Sequence, residues 1–313
     1  MKKLFVSLLA LTATMTLSAQ DLSTLYNEAA AAFGAKDFAG AAAKFEELIA
    51  LDPDGADEAT VNAKKSLPKC YRSMGSAAMK SKDYAAAAEN FAMSIDLFEL
   101  YGAPAEATKT RPALAQAYQA MGVAPFNDKD FATAAEIFAK GYEANPRNTD
   151  VAINLATCYC ETGEFVQGME IFETVAALNP QKDDKTAAAV ARAQELISLY
   201  TNNQVAKMQA ANDFDGLIAM AEELLAKNPA SPLALSVQLQ AYNGKKDYAK
   251  VIELGETAAE AQTTAEAKSQ MYYLLGAAYN AKEMKPQAIA AFQKVTAGPN
   301  AANAKTAVAE LSK

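Results

Sequence analysis

Three cysteines, one acidic turn and one basic spot are the groups in this 313-residue chain that could do chemistry. Cys158 and Cys160 sit two apart, a spacing that sends two helical side chains in different directions and predicts no bridge between them. It is also not the two-residue gap of zinc ribbons. All three thiols therefore read as small buried apolar side chains, with a long-range bridge from Cys70 as the alternative. The acidic turn Asp52, Asp54, Asp57, Glu58 starts like a calcium loop, but Gly55 comes too early and Ala63 stands where a bidentate glutamate should be. The turn is expected to be a solvated helix start instead. Lys69, Arg72 and Lys80 form a basic spot that could take a carboxylate or an acidic segment; the alternative is an ordinary solvated face. The carboxylate pairs Glu46-Glu47 and Glu222-Glu223 have no partner chemistry around them. With no histidine in the sequence, the commonest general base and every Ser-His or Cys-His nucleophile are excluded. No phosphate-binding glycine loop and no GxSxG elbow occurs. The expectation is no catalytic residue, no cofactor and no metal.

The elements that must carry these residues are helical. Ala-rich segments, 14 glycines and 11 prolines, most of the prolines near turns or helix starts, argue against strands. The stretch from Asn148 to Pro180 shows the unit. Ala152, Leu155, Ala156 and Tyr159 fall on one helix face, Gly163 closes that helix, and Gly168, Ile171, Phe172, Val175 and Ala176 form a second stripe before Pro180. Small residues let the two axes approach, and Tyr159 and Phe172 fill the space beside them. A single hairpin cannot bury both stripes, so the unit needs copies of itself on either side.

Copies are present. Ala29, Phe38, Ala41 and Phe45 mark the first, and Tyr71, Gly75, Tyr84, Ala87 and Phe91 the second. Tyr118, Gly122, Phe131, Ala134, Phe138 and Pro146 mark the third. Two later copies are weaker, with Ala221 and Gly255 where an aromatic is expected; the last recovers the pattern in Gly276, Tyr279, Ala288 and Phe292. This serial pattern resembles the tetratricopeptide repeat, a helical hairpin of about 34 residues. The resemblance implies an all-α, right-handed superhelical solenoid of about seven hairpins, with some lengthened first helices and a C-terminal capping helix over Ala301 to Leu311. Extra residues before the second and third copies should lengthen first helices, with kinks or restarts at Pro68 and Pro112. Asp183 to Ala211 is long enough for one helix, or for two broken near Thr201-Asn202-Asn203, and is where the solenoid would bend or divide. The domains read as 20–180 (repeats 1–4) and 181–313 (linking helix, repeats 5–7 and cap).

In the family, first helices line a concave groove that holds a peptide or a partner helix. Carried over by position, the groove candidates are Tyr26, Phe33, Lys69, Arg72, Lys80, Gln116, Gln119 and Phe126. They continue through Ile153, Asn202, Gln240, Asn243, Tyr273 and Asn280, with Ser76, Thr157, Gln209 and Ser236 between them. Chaperone-binding members hold a terminal carboxylate with a Lys/Asn/Arg clamp; Tyr26, Ala30, Ala120 and Val123 do not supply it, so that activity is not implied.

Residues 1–19 read as a secretory signal: Lys2 and Lys3, an apolar run from Leu4 to Leu17, and a cleavage site at Leu17-Ser18-Ala19 without a lipid-accepting cysteine. The formal charge of −8 would become −10 on loss of Lys2 and Lys3, which disfavours nucleic acid and anionic lipid as partners. No later stretch is long and apolar enough for a membrane anchor. The expected function is a periplasmic or secreted interaction scaffold for an envelope protein or peptide. The alternative is glycan or small-ligand capture for an outer-membrane transport system, which the absence of tryptophan disfavours.

Overall fold

The computed structural model describes residues 19–313. The leader expected over 1–19 lies outside the described residues, except for Ala19, where α1 begins. Every regular element among the described residues is a helix, and the chain divides into two compact units, Met1–Val151 and Ala152–Lys313.

The first unit contains α1 (Ala19–Gly34), α2 (Phe38–Leu51), α3 (Glu58–Ser81), α4 (Tyr84–Leu100), α5 (Pro104–Asn127), α6 (Phe131–Ala144) and the start of α7 (Thr149–Thr162). From α1 to α6 each helix packs on the next, and α1 also lies against α3. One core gathers Leu22, Ala29, Phe45, Leu48, Ala63 and Leu67; another gathers Ala88, Phe91, Ile95, Phe98, Leu114 and Ala117. The expected lengthening of the first helices is present: α3 and α5 have 24 residues each. Pro68 and Pro112 sit inside continuous helices rather than at restarts. The Pro68 carbonyl accepts a buried hydrogen bond from Ser94 Oγ at 2.8 Å, which ties α3 to α4 where the proline removes a helical donor.

The second unit holds the rest of α7, α8 (Phe165–Ala176), α9 (Asp184–Ala210), α10 (Phe214–Lys227), α11 (Pro232–Gly244), α12 (Tyr248–Glu260), α13 (Ala265–Ala281), α14 (Lys285–Gln293) and α15 (Ala301–Leu311). Here α9 is one unbroken helix of 27 residues. Within the polar run that suggested a break, Thr201 is buried while Asn202 and Asn203 stay exposed on the continuing helix. Glu173 on α8 accepts from Ser231 Oγ and, at 3.4 Å, from Asn228, fastening α8 to the turn between α10 and α11. At the end of the chain α15 packs on α14 through the fully buried Ala304, closing the stack.

Two local devices recur. The first is a seam in which a small residue on the first helix of a hairpin faces a buried phenylalanine sixteen positions on. Gly75 lies under Phe91, Gly122 under Phe138 and Gly276 under Phe292; Ala29 and Phe45, and Ala156 and Phe172, occupy the same spacing. The second is the turn. Lys36, Lys82, Lys129, Asn212, Lys246 and Glu283 have φ between 55° and 66°, and Gly163 has φ 93°. In each case the next residue's N–H bonds the carbonyl five positions back, as Asp130 does to Pro125 at 2.8 Å, which is a Schellman closure. The same aspartate then caps the following helix: Asp37, Asp83, Asp130, Asp213 and Asp247 each accept the backbone N–H three residues later. One residue pair thus ends one helix and starts the next.

Candidate partner-binding surface

Four aromatic groove candidates pack into their own hairpins. In the first unit Tyr26 tilts against Phe45 with ring centroids 5.6 Å apart, and Phe33 meets Phe38 edge-on at 5.2 Å. Phe126 sits edge-on to Phe131 at 5.6 Å and to Phe138 at 5.9 Å. In the second unit Tyr273 lies 5.6 Å from Phe292. All four are half-buried, each with part of its ring surface taken by a neighbouring aromatic.

The remaining candidates of the first unit divide by what they touch. Arg72 is engaged: its guanidinium lies 5.3 Å from the Phe98 ring centroid and donates to Glu106 Oε2 at 3.0 Å. Glu106 also accepts from Lys109 at 2.6 Å; these two cations, Lys109 first and Arg72 second, hold its carboxyl below the usual glutamate range. The Arg72–Glu106 pair joins α3 directly to α5, one first helix to another. Sequence reasoning missed Glu106, although it lies about one repeat length, 34 positions, after Arg72. Gln119 accepts from the Asn148 side-chain amide at 3.2 Å. Lys69, Lys80 and Gln116 are exposed, and so is Ser76, whose hydroxyl donates to the Arg72 carbonyl at 2.9 Å.

In the second unit Ile153 is 4% exposed, which corrects its groove assignment: an apolar side chain this deep is core. Asn202 and Gln209 on α9 are exposed, as is Asn280 on α13; Gln240 and Asn243 on α11 are half-buried. Ser236 donates to the Leu233 carbonyl at 2.8 Å and keeps its oxygen as an acceptor. Helix α11 lies against both α9 and α13, so the three first helices are neighbours. No charged residue occurs anywhere in α11. The polar side chains of α11 are therefore amide and hydroxyl, whereas α3 carries Lys64, Lys65, Lys69, Arg72 and Lys80 against Glu58 alone.

None of the three thiols is an activated nucleophile. Burial pushes the Cys70 thiol up to about 11, and those of Cys158 and Cys160 up to about 12, so each is protonated at neutral pH. All three are free thiols. Asp52, read above as part of an acidic turn, accepts the backbone N–H of Asp57 at 3.0 Å and of Ala56 at 3.3 Å, and Asp57 caps α3 through the Ala59 N–H at 2.7 Å. Those bonds hold the Asp52 carboxyl below its usual range, that from Asp57 first. Among the described residues no cluster of three or more His, Cys, Asp or Glu side chains could hold a metal ion, and no helix is long and apolar enough to cross a membrane.

A tetratricopeptide repeat family model matches residues 126–194, from the last turn of α5 into α9. No curated protein sequence matches the chain. Solved structures similar to it include the tetratricopeptide repeat domain of P58(IPK), 12% identical over 93% of this chain and 78% of that one, with a TM-score of 0.33. A tetratricopeptide repeat protein from Parabacteroides merdae is 12% identical over 94% of this chain and 100% of that one, at 0.31. The TPR2AB domain of yeast Sti1 in its complex with pHSP90 is 13% identical over 95% of this chain and 100% of that one, at 0.32. The likeness to these structures is one of fold alone. The repeat family is supported by the matched segment and the helical hairpins on either side of it.

Proposed function

We propose that this protein is a non-catalytic interaction scaffold that holds an extended segment or a helix of a partner protein on the exposed faces of its first helices. The observation that carries the reading is a set of uncharged polar side chains on three neighbouring first helices: Asn202 and Gln209 on α9, Ser236, Gln240 and Asn243 on α11, and Asn280 on α13. Amide side chains both donate and accept, so such a set matches the alternating N–H and C=O groups of a peptide without demanding charge from it. The glycan alternative gains nothing from the structure: Tyr273, the aromatic among these candidates, is half-buried and packs against Phe292. The envelope setting rests on the leader pattern in residues 1–19.

The test is affinity capture from envelope extract with the full chain and with a Gln240→Ala, Asn243→Ala, Asn280→Ala variant. A partner held by the wild type should fall at least tenfold in the variant at unchanged thermal stability, and the retained segment should map by crosslinking to α11 and α13. Identical captured proteins for both chains would overturn the reading. Recovery of the full-length chain, leader intact, in the cytoplasmic fraction would overturn the envelope setting alone.

A further inference from the structure

Several cations in the described structure pair with carboxylates. Lys44 pairs with Glu28, Lys109 with Glu106, Arg111 with Glu99, Lys245 with Asp215, Lys250 with Glu253, Lys268 with Glu260 and Lys294 with Glu256. Helix α3 is set apart by its charge balance, five cations against Glu58 alone. Of its five cations, Arg72 is bound to Glu106 and Lys64 donates to the Pro53 carbonyl at 3.0 Å. Lys65, Lys69 and Lys80 are exposed and form no ion pair among the described residues. Lys65 and Lys69 stand one turn apart with like charge, an arrangement that costs helix stability and that no neighbouring carboxylate offsets. At 1.5 Å per residue, Lys65 and Lys69 are about 6 Å apart along the axis and Lys80 lies about 16 Å further on. All three share a stripe with Arg72 and Ser76, the stripe that the Arg72–Glu106 pair turns toward α5.

We infer that this stripe is a docking site for a short acidic polypeptide segment, with carboxylates at one end for Lys65 and Lys69 and at the other for Lys80. An extended chain covers that distance of about 22 Å in roughly seven residues. The inference rests on the scaffold reading and specifies the partner's chemistry on α3. The acidic occupant follows from charge complementarity at two ranges. A seven-residue segment lies within about one to three Debye lengths of the lysines and feels mainly them, whereas a long polyanion or an anionic membrane also meets the remaining surface of a chain whose net charge is −8. Neutral Gln116 on the adjoining helix can hydrogen-bond the segment's backbone without competing for its carboxylates.

The experiment is fluorescence anisotropy on the full chain with four probes: an eight-residue peptide carrying Glu at positions 1, 2 and 7, its Gln counterpart, a 20-nucleotide single-stranded DNA, and vesicles containing phosphatidylserine. The variants are Lys65→Gln/Lys69→Gln/Lys80→Gln and, as a charge-matched control away from α3, Lys207→Gln/Lys282→Gln/Lys305→Gln, with circular dichroism to check folding. The acidic peptide should bind the wild type and the control alike, weaken on raising salt from 50 to 300 mM, and bind the α3 variant roughly tenfold more weakly, three exposed pairs being lost. Equal binding of the Gln peptide, unaffected by the α3 substitutions, overturns this inference and leaves the scaffold reading intact. Lysine-dependent binding of DNA or vesicles at least as tight as the peptide's overturns it in favour of a polyanion. If no peptide binds while the α11 and α13 substitutions still abolish partner capture, the acidic site is refuted alone; if that capture is also insensitive, both readings fall.

Discussion

Replacing Gly122 by alanine tests the seam at its tightest point. A Cβ at Gly122 would stand 2.4 Å from Cε1, 2.7 Å from Cζ and 2.8 Å from Cδ1 of Phe138. Carbon atoms rest at about 3.5–4.0 Å, so the ring must retreat by roughly 1 Å. Phe138 is 0% exposed and already edge-on to Phe126, so the displacement propagates into neighbouring packing. Overpacking of this kind costs about 1–3 kcal/mol, against which alanine returns about 1 kcal/mol of helix propensity over glycine. The net expectation is a loss of about 0–2 kcal/mol. Gly34, at the end of α1, has nothing within 4 Å of its Cβ position, and there the same substitution should gain up to about 1 kcal/mol. Urea denaturation followed by circular dichroism compares the two. A sharper arm uses Phe138→Ala, itself expected to cost about 3–5 kcal/mol. In that background the clash is gone, and Gly122→Ala should turn from destabilising to stabilising, a coupling of at least about 1 kcal/mol. If Gly122→Ala stabilises the wild type as Gly34→Ala does, or the coupling is zero, the seam does not work by close approach.

Three further outcomes are expected. Asp130→Ala removes the carboxylate that caps α6 through the Thr133 N–H and should cost about 1 kcal/mol in urea melts, with Asp130→Asn recovering most of it. Tyr272→Phe removes a hydroxyl that donates to Glu260 on α12 and accepts from Lys294 at 3.2 Å; because both partners keep other bonds and reach solvent, the loss should be about 1 kcal/mol, well below that of Tyr272→Ala. The raised thiols set an alkaline limit: a folded value of about 12 for Cys158 and Cys160 against an ordinary 9.0 means their contribution is complete below pH 9 and is lost as pH rises from there toward 12. Urea midpoints measured in reductant at pH 8, 9, 10 and 11 should therefore fall, and fall less steeply in a Cys158→Ala/Cys160→Ala variant; parallel slopes would contradict the assignment.

The hairpins could be read from the sequence because their determinants are local. A small residue followed sixteen positions later by phenylalanine marks the seam wherever both are present, as at Ala29 and Phe45 or Gly276 and Phe292. The weak copies were weak for a reason that only the structure supplies. At Gly255 the space of the missing aromatic is taken by Leu275 of the next hairpin, whose Cδ1 would lie 2.8 Å from an added Cβ. In the same copy, Gly244 is closed over by the Phe214 ring of the preceding hairpin, 2.2 Å from an added Cβ. Filling by a neighbouring hairpin has no fixed spacing, so no pattern within one copy reveals it. The surface was less legible for a related reason. Position alone put Arg72 in a basic spot, but only the fold brings Glu106 against it and separates it from the unpaired lysines. Position likewise marked Ile153 for the groove, but its apolar side chain is buried in the core.

The turns explain how one scaffold can carry two unlike surfaces. Five reversals, at Asp37, Asp83, Asp130, Asp213 and Asp247, are set by three adjacent residues, as in Lys129-Asp130-Phe131: a left-handed stop, a carboxylate cap and an aromatic anchor. A non-glycine residue in the left-handed region costs about 1–2 kcal/mol, and glycine there would instead cost backbone entropy in the unfolded chain, so lysine at φ near 60° is close to an even exchange and keeps a charge at the surface. Because the reversal is specified locally and the seam is filled by small and aromatic residues, the exposed stripe of each first helix carries no share of the folding information. Lys65, Lys69 and Lys80 on α3, and Gln240 and Asn243 on α11, are therefore free to differ in chemistry while the backbone beneath them stays the same. It follows that exchanging the exposed residues of one stripe for those of the other should move binding preference without moving stability by more than the few tenths of a kcal/mol usual for surface substitutions.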